Sequence, residues 1–165
     1  MKNILVIVDA QNDFIDGALG SEEAKSRIAN ISDKIKSFTD GIIITTQDTH
    51  QENYLETKEG KALPVAHCIQ YSQGWGINIE VAASIIAKAA TDPSVSYDSV
   101  TKPTFGSTAE FLHGLRYKVL AVLFFGNVCL YAQDIVRILA YRRDFSFQFV
   151  EMSGSHDHLS ATASE

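Results

Sequence analysis

Cys129 stands at a junction where a thiol can be activated. The apolar run "VLFF" leads into Gly126, and residues 128–143 have the pattern of a helix. The N-terminus of a helix presents unpaired N–H groups and a partial positive charge, and both lower the pKa of a nearby thiol. Since the thiolate is the nucleophilic form, the position of Cys129 predicts a nucleophile for acyl transfer.

Two charged residues are candidate partners of this thiol. Asp9 ends the first apolar run of the chain, and Lys102 ends a later predicted strand. A carboxylate can accept the thiol proton and return it to a leaving amine, and a nearby ammonium group lowers the thiol pKa further. Each residue alone has an ordinary explanation as a turn former or a solvated charge. Together with Cys129 they predict a catalytic group.

A second cluster of chemically capable residues lies in the segment "TQDTHQENYLETKEGKALPVAHC", residues 46–68. The candidate metal ligands are Asp48, His50, Glu59 and His67. Mixed nitrogen and oxygen donors suit a divalent transition metal such as zinc or iron. Glu52 and Glu56 compete with Glu59 as the acidic ligand, and spacing does not decide between the three. Solvated histidines in a polar loop are the ordinary alternative. Cys68 adjoins His67 and could also be a ligand, but we expect it to pack against the loop.

The apolar pattern of the chain predicts the elements that would carry these residues. Strands are predicted at residues 3–9, 41–47, 94–102, 118–126 and 145–150. Helices are predicted at residues 21–38, 80–90, 107–115 and 128–143. The polar stretch from residue 48 to about residue 78 has no clear periodicity, and a loop of this length in a compact domain is usually functional or disordered.

The alternation of strands and helices indicates an α/β fold with a mostly parallel sheet and helices on both faces. Ligands of such sheets bind at the carboxyl ends of the strands. The chemically capable residues Asp9, Asp48, Lys102 and Cys129 each end or follow a predicted strand. We therefore expect them to meet at one rim of one sheet.

The composition is that of a single globular domain over residues 1–165. Hydrophobic residues make up 45% and charged residues 21% of the chain, and no apolar run has the length of a membrane span. A net charge of −6 without a basic face argues against nucleic acid and anionic membranes as partners. The first residues lack the pattern of a secretory signal, so we expect a cytoplasmic protein. We expect the tail from about residue 152 to be disordered or shortened.

Six short segments carry a resemblance to one family of enzymes. In chain order they are "VDAQNDF" (8–14), "TQDTH" (46–50), "EGKALPVAHC" (59–68), "GW" (74–75), "TKPTFGS" (101–107) and "FFGNVC" (124–129). In these residues the sequence is similar to the isochorismatase-like cysteine hydrolases, and within them to the nicotinamidases. The resemblance implies a three-layer, Rossmann-like α/β fold and hydrolysis of a small carboxamide, with nicotinamide giving nicotinate and ammonia as the leading candidate.

The resemblance also implies roles for the catalytic residues. Asp9, Lys102 and Cys129 match the family's catalytic group. In that group the cysteine attacks the amide carbonyl, ammonia leaves, and water cleaves the resulting thioester. The family's oxyanion hole matches the main-chain N–H groups of Phe125 and Cys129, where the bond between Phe124 and Phe125 would be a cis peptide.

Metal and substrate contacts are implied in the same way. Nicotinamidases bind a metal near the catalytic cysteine that holds the pyridine nitrogen, and the matching residues are Asp48, His50, Glu59 and His67. Zinc is the leading candidate, with iron or manganese as alternatives. Gln11 and Phe14 match positions close to the substrate pocket, and ordinary core packing is the alternative for Phe14. The family is often dimeric or tetrameric, so we expect a homo-oligomer.

The residues around Cys129 depart from the family's pattern. The cysteine is followed by "LYAQDIV", where small or hydroxyl residues are usual, and Phe125 is bulky beside the oxyanion turn. Two alternatives therefore stay open. One is a metal-free isochorismatase-type hydrolase of another amide or of a vinyl ether. The other is a non-catalytic binding or scaffold module on the same fold.

Overall fold

The computed structural model describes residues 3–103, 118–123, 147–150 and 160–161. Its strands are β1 (Asn3–Val8), β2 (Gly41–Asp48), β3 (Val95–Lys102), β4 (Lys118–Leu123), β5 (Phe147–Val150) and β6 (Ser160–Ala161). Its helices are α1 (Asn12–Ile15), α2 (Glu22–Ser37), α3 (Lys58–Ala62) and α4 (Ile79–Thr91), with a 3-10 turn at Tyr54–Glu56.

The strands form one sheet in the order β3-β2-β1-β4-β5-β6. All neighbouring strands run parallel except β6, which is antiparallel to β5. Val8 of β1 lies beside Thr46 of β2, and Asp48 of β2 lies beside Lys102 of β3. The carboxyl ends of β1, β2 and β3 therefore meet at one rim of the sheet, as the alternation of strands and helices predicts.

Helix α2 shows why the sequence folds against the sheet. Ser21 caps its start, because the Ser21 hydroxyl oxygen accepts a hydrogen bond from the Ala24 N–H at 3.1 Å. The helix buries one apolar stripe that includes Ile28, Ile31 and Ile35. Burial of each such side chain contributes about 1.5–3 kcal/mol to folding.

One core lies between α2, α4 and the sheet. Its buried members are Leu5, Ile7, Ala10, Ile15, Ala24, Ile28, Ile31, Ile35, Phe38, Ile43, Val81, Ile85 and Val95. On the opposite face of β1, Ile4 and Val6 are buried as well. Both faces of β1 are therefore covered, which explains why its sequence is continuously apolar and not alternating.

The predicted elements agree with the structure where it describes them. The predicted strands match β1 to β5 within a few residues, and two predicted helices match α2 and α4. The sequence predicts a functional or disordered loop from residue 48 to about residue 78, and the structure places α3 and the 3-10 turn within it. The helices predicted at 107–115 and 128–143 lie outside the described residues. Within the described part of the chain, no helix is long and apolar enough to span a bilayer.

Candidate functional site

A buried ion pair lies at the rim where β1 and β3 end. The Lys102 ammonium nitrogen is 2.7 Å from Oδ2 of Asp9. The other carboxylate oxygen, Oδ1, accepts a hydrogen bond from the Thr46 hydroxyl at 2.7 Å. Asp9 and Lys102 are only 2% and 4% exposed. Both oxygens of the Asp9 carboxylate are thus partnered, as a charge removed from water requires.

The turn after β1 directs Asp9 toward this pair. The Asp9 backbone has a φ of 52°, in the left-handed region that few non-glycine residues adopt. Its N–H donates to the Thr46 carbonyl at 3.2 Å, which keeps the turn attached to β2. Burial raises the pKa of the Asp9 carboxyl above its ordinary value, although the Lys102 ammonium and the Thr46 hydroxyl act against this rise.

A second polar cluster lies at the end of β2. Oδ2 of Asp48 is 3.1 Å from Nε2 of His50 and 3.5 Å from Nε2 of His67. All three residues are buried, and one ligand atom from each lies within 4.8 Å of the others. An oxygen and two imidazole nitrogens at these separations can converge on one divalent cation.

Glu59 is the glutamate that approaches this cluster. Its Oε1 lies 3.6 Å from Nε2 of His50, and its side chain is only 14% exposed. Glu52 and Glu56, the competing acidic residues, are exposed. Helix α3 brings Glu59 inward because Gly60 packs against the Tyr54 carbonyl, where a Cβ would overlap it. The structure thus places Glu59, and neither competitor, beside the two histidines.

The donor atoms fit a bound cation. Asp48 Oδ1, Glu59 Oε1 and His67 Nε2 are buried and have no hydrogen-bond partner among the described residues. Leaving a buried polar atom without a partner costs about 1–3 kcal/mol, so three in one cluster are unusual. Nδ1 of His67 lies 2.8 Å from the Val65 carbonyl. If Nδ1 carries the proton and donates it to this carbonyl, Nε2 keeps a free lone pair for a metal. A divalent cation held by Asp48, His50 and His67 would give Nε2 of His67 the partner that it lacks.

The pKa values of Asp48 and His67 shift in opposite directions, because each group lies beside an opposite charge. Burial acts to raise the pKa of Asp48, but His67, Lys102 and His50 lower it, and the net pKa falls below the ordinary value. For His67, burial acts to lower the pKa, but the Asp48 carboxylate and the Val65 carbonyl raise it above the ordinary value. Asp48 is therefore held as a carboxylate, which is its metal-binding form.

Aromatic rings surround the two histidines. The Tyr54 ring lies 4.4 Å from the His50 ring and 5.0 Å from the His67 ring. The Tyr54 hydroxyl donates to the Leu63 carbonyl at 3.0 Å. Phe14 meets His67 edge to face at 5.6 Å and is half-buried, which is compatible with a place near the predicted substrate pocket. Sequence reasoning missed Tyr54, because a tyrosine in a polar loop carries no sign that it will be buried.

Gln11 lies against the main chain at the end of β2. Its side chain is fully buried. Its Oε1 accepts from the Asp48 N–H at 2.7 Å, and its Nε2 donates to the carbonyls of Asp48 and Trp75, both at 2.8 Å. The amide therefore holds the main chain of Asp48 on both sides. Its polar atoms thus have protein partners, and a substrate contact of Gln11 stays a prediction.

Several predicted residues fall outside the structural description. Cys129, Phe125 and the bond between Phe124 and Phe125 lie outside the described residues. The other cysteine, Cys68, is free and buried, and burial raises the pKa of its thiol. Cys68 is thus packed, as the sequence predicts, and its raised pKa makes it an unactivated thiol.

Solved structures with the same fold include three amide-processing enzymes. A pyrazinamidase/nicotinamidase from Streptococcus mutans has a TM-score of 0.68 at 19% identity, over 92% of this chain and 86% of that one. An N-carbamoylsarcosine amidase from Thermoplasma acidophilum has a TM-score of 0.63 at 19% identity, over 95% and 87%. A pyrazinamidase from Pyrococcus horikoshii in complex with zinc has a TM-score of 0.59 at 22% identity, over 84% and 80%.

The sequence comparisons add the family. A search of curated protein sequences gives no match. The family model of the isochorismatase domain matches residues 3–96, which is more than half of the chain. The matched residues include β1, β2, Asp9 and the whole cluster at Asp48, His50, Glu59 and His67. The chain belongs to the isochorismatase family.

Proposed function

We propose that this chain is a cysteine amidohydrolase that cleaves a small carboxamide through a thioester, with nicotinamide as the leading substrate. The observation that carries the proposal is the buried pair of Asp9 and Lys102, which lies at the same sheet rim as the Asp48 cluster. A buried, paired carboxylate and ammonium group beside a set of candidate metal ligands is a pattern that active sites show.

The catalytic part of the proposal assigns a role to each of three residues. Asp9 accepts the Cys129 thiol proton, and the thiolate attacks the amide carbonyl. Asp9 then returns the proton to the leaving nitrogen, so that ammonia departs and a thioester forms. Water, deprotonated by Asp9, cleaves the thioester and restores the thiol. Main-chain N–H groups of Phe125 and Cys129 would bind the oxyanion.

The environment of Asp9 supports this role. Because burial raises the Asp9 pKa, the carboxylate is a stronger base than an exposed aspartate, and its proton affinity is closer to that of a thiol. Lys102 keeps the carboxylate in place at 2.7 Å and supplies the positive charge that a neighbouring thiolate needs. Thr46 fixes the second oxygen, so the acid–base group has one orientation.

The metal part of the proposal rests on the unpartnered atoms. Asp48, His50 and His67 would hold a divalent cation, with Glu59 as the fourth protein group near it. Zinc is our leading candidate, because the donor set suits it and the Pyrococcus horikoshii pyrazinamidase of the same fold is in complex with zinc. Iron and manganese are the alternatives. When bound, the cation supplies a Lewis-acid site for a ring nitrogen of the substrate.

A second candidate substrate class is favoured by the structural comparisons. The N-carbamoylsarcosine amidase resembles this chain about as closely as the nicotinamidases do. A small carbamoyl or other carboxamide compound is therefore the alternative substrate for the same three catalytic residues.

A cytoplasmic location and a homo-oligomeric state stay predictions from the sequence.

The first test is ammonia release from nicotinamide by the purified protein. The assay is run after chelation, after re-addition of zinc, and with N-carbamoylsarcosine in place of nicotinamide. We expect zinc-dependent release from nicotinamide and at least a thousandfold loss in Cys129→Ala, on the order of the effect of removing a covalent nucleophile.

The matched control is Cys68→Ala, which removes the buried, unactivated thiol and should keep the activity. Release from N-carbamoylsarcosine alone would replace nicotinamide by the second substrate class. Activity that survives in Cys129→Ala would overturn the thioester mechanism itself.

A further inference from the structure

Asp13 reaches across the fold to the loop that carries His67. Its Oδ2 accepts a hydrogen bond from the Cys68 N–H at 2.7 Å, although the two residues are 55 positions apart. The peptide group that donates this bond joins Cys68 to His67. His67 is one of the three residues of the Asp48 cluster, which is the proposed metal site. A bond from a main-chain N–H to a carboxylate is of the stronger, charge-assisted kind.

The Asp13 carboxylate is itself held from several sides. Its Oδ1 accepts from the Ala18 N–H at 3.1 Å, and the Asp13 N–H donates to the Gly74 carbonyl at 3.0 Å. Gly74 packs so closely on the carboxylate that a Cβ at position 74 would overlap it. Asp13 therefore has little freedom to leave Cys68.

The bonded peptide lies at a point where the chain adopts a strained conformation. Cys68 has a φ of 46°, which side-chain-bearing residues adopt only when the surroundings enforce it. The Cys68 carbonyl accepts from the His50 N–H at 3.0 Å. The N–H of Cys68 is thus bonded to Asp13, and its carbonyl is bonded to His50, a second residue of the Asp48 cluster.

The neighbour of Asp13 contacts the same histidine. Phe14 packs edge to face on the His67 ring at 5.6 Å. Two consecutive residues of α1 thus restrain His67, one through the following peptide group and one through the imidazole. The Nδ1 contact with the Val65 carbonyl at 2.8 Å completes the set.

We propose that Asp13 is a positioning residue for the metal site, acting through the Cys68 N–H to aim Nε2 of His67 at the cation. This inference rests on the proposed metal site and adds a residue that does not touch the metal. Groups that orient a metal ligand typically change the metal affinity by about 10–100-fold when they are removed.

The test measures zinc affinity by competition with a chromophoric chelator, on folded protein checked by circular dichroism. Asp13→Asn keeps the size of the side chain but leaves one acceptor oxygen for two main-chain N–H groups. We expect it to weaken zinc binding by about 10–100-fold. Gly74→Ala leaves Asp13 chemically intact but displaces its carboxylate from Cys68, and should weaken zinc binding in the same direction.

Asp92→Asn is the matched control. Oδ1 of Asp92 also accepts from a main-chain N–H, that of Ser94 at 3.0 Å, but Asp92 caps the C-terminus of α4 and does not belong to the Asp48 cluster. We expect its zinc affinity to equal that of the unsubstituted protein even if its unfolding temperature falls as much as that of Asp13→Asn. A loss that follows unfolding temperature in all three variants would show a structural role only.

The outcomes separate this inference from the proposed function. If the unsubstituted protein binds no zinc, the metal site is wrong and the inference falls with it. If that protein binds zinc and both Asp13→Asn and Gly74→Ala bind it equally well, only the inference is wrong. If Asp13→Asn does not fold, Gly74→Ala decides alone.

Discussion

The two polar clusters at the rim of the sheet differ in how completely their charges are paired. In the Asp9 cluster, Lys102 and Thr46 each partner one carboxylate oxygen. In the Asp48 cluster, three buried atoms have no hydrogen-bond partner among the residues that the structure describes. The first cluster is electrostatically complete with protein groups alone. The second needs a further group to become so.

This difference separates two ways of building a site. The Asp9 pair joins the ends of β1, β2 and β3 at the rim, so the charges of the pair and the fold depend on each other. The Asp48 cluster lowers the free energy of unfolding, since each unpartnered buried atom costs about 1–3 kcal/mol. A cation that binds there is expected to restore this stability. We expect the first cluster to respond to mutation and the second to respond to metal.

The largest expected effect comes from breaking the complete cluster. Lys102→Met removes the ammonium group and leaves the Asp9 carboxylate buried without its counter-charge. We expect a loss of about 3–5 kcal/mol in the free energy of unfolding, measured by urea denaturation at neutral pH. The double variant with Asp9→Asn should recover part of this loss, because the uncompensated charge is then gone. Additive losses in the double-mutant cycle would contradict the pairing.

The second-largest effect is the stabilisation of the Asp48 cluster by a bound metal. Free zinc at one hundred times its dissociation constant is expected to raise the free energy of unfolding by about 2.7 kcal/mol over chelated protein. Differential scanning calorimetry with and without zinc measures this shift. His67→Ala should abolish it, because the variant lacks one of the three ligands. A shift of equal size in His67→Ala would place the zinc elsewhere.

The smallest effect is a difference in pH dependence between the two aspartates in chelated protein. The Asp9 pKa is raised above the ordinary 3.8, so its contribution to stability is fully present below that value and is lost as the pH rises through the folded-state pKa. The Asp48 pKa is lowered from 3.8, so its contribution is present above that value and is lost as the pH falls.

Urea denaturation across acid to neutral pH tests this contrast. The stability difference between unsubstituted protein and Asp9→Asn should shrink as the pH rises, and that for Asp48→Asn should grow. Each unit of pKa difference corresponds to about 1.4 kcal/mol. If the stability differences of both variants change in the same direction with pH, the pKa values of Asp9 and Asp48 are not shifted in opposite directions.

Much of the framework could be predicted because it depends on local pattern. The apolar runs of β1 and β2 are set by their own residues, and a parallel sheet then places Asp9 and Asp48 at one rim. The helical stripe of α2 and its serine cap are equally local. These features need only the period of the sequence and the preferences of single residues.

The rest depends on contacts between distant segments. Spacing did not choose Glu59 over Glu52 and Glu56, because the choice depends on how Gly60 packs against the Tyr54 carbonyl. The bond from the Cys68 N–H to Asp13 joins residues 55 positions apart and has no local signature. Gln11 could be singled out from its motif, but its place against the Asp48 main chain could not be foreseen.

The pairing of Asp48 with Lys102 across β2 and β3 links the two clusters through a single alignment of strands. Because side chains alternate between faces, a slip of β3 by one residue would turn Lys102 to the other side of the sheet and away from Asp9. The hydrophobic core would lose little, since most of β3 is exposed. A one-residue deletion within β3 is therefore expected to leave a protein that folds but lacks the pair of Asp9 and Lys102. In this molecule the strand register, as much as any side chain, is part of the proposed active site.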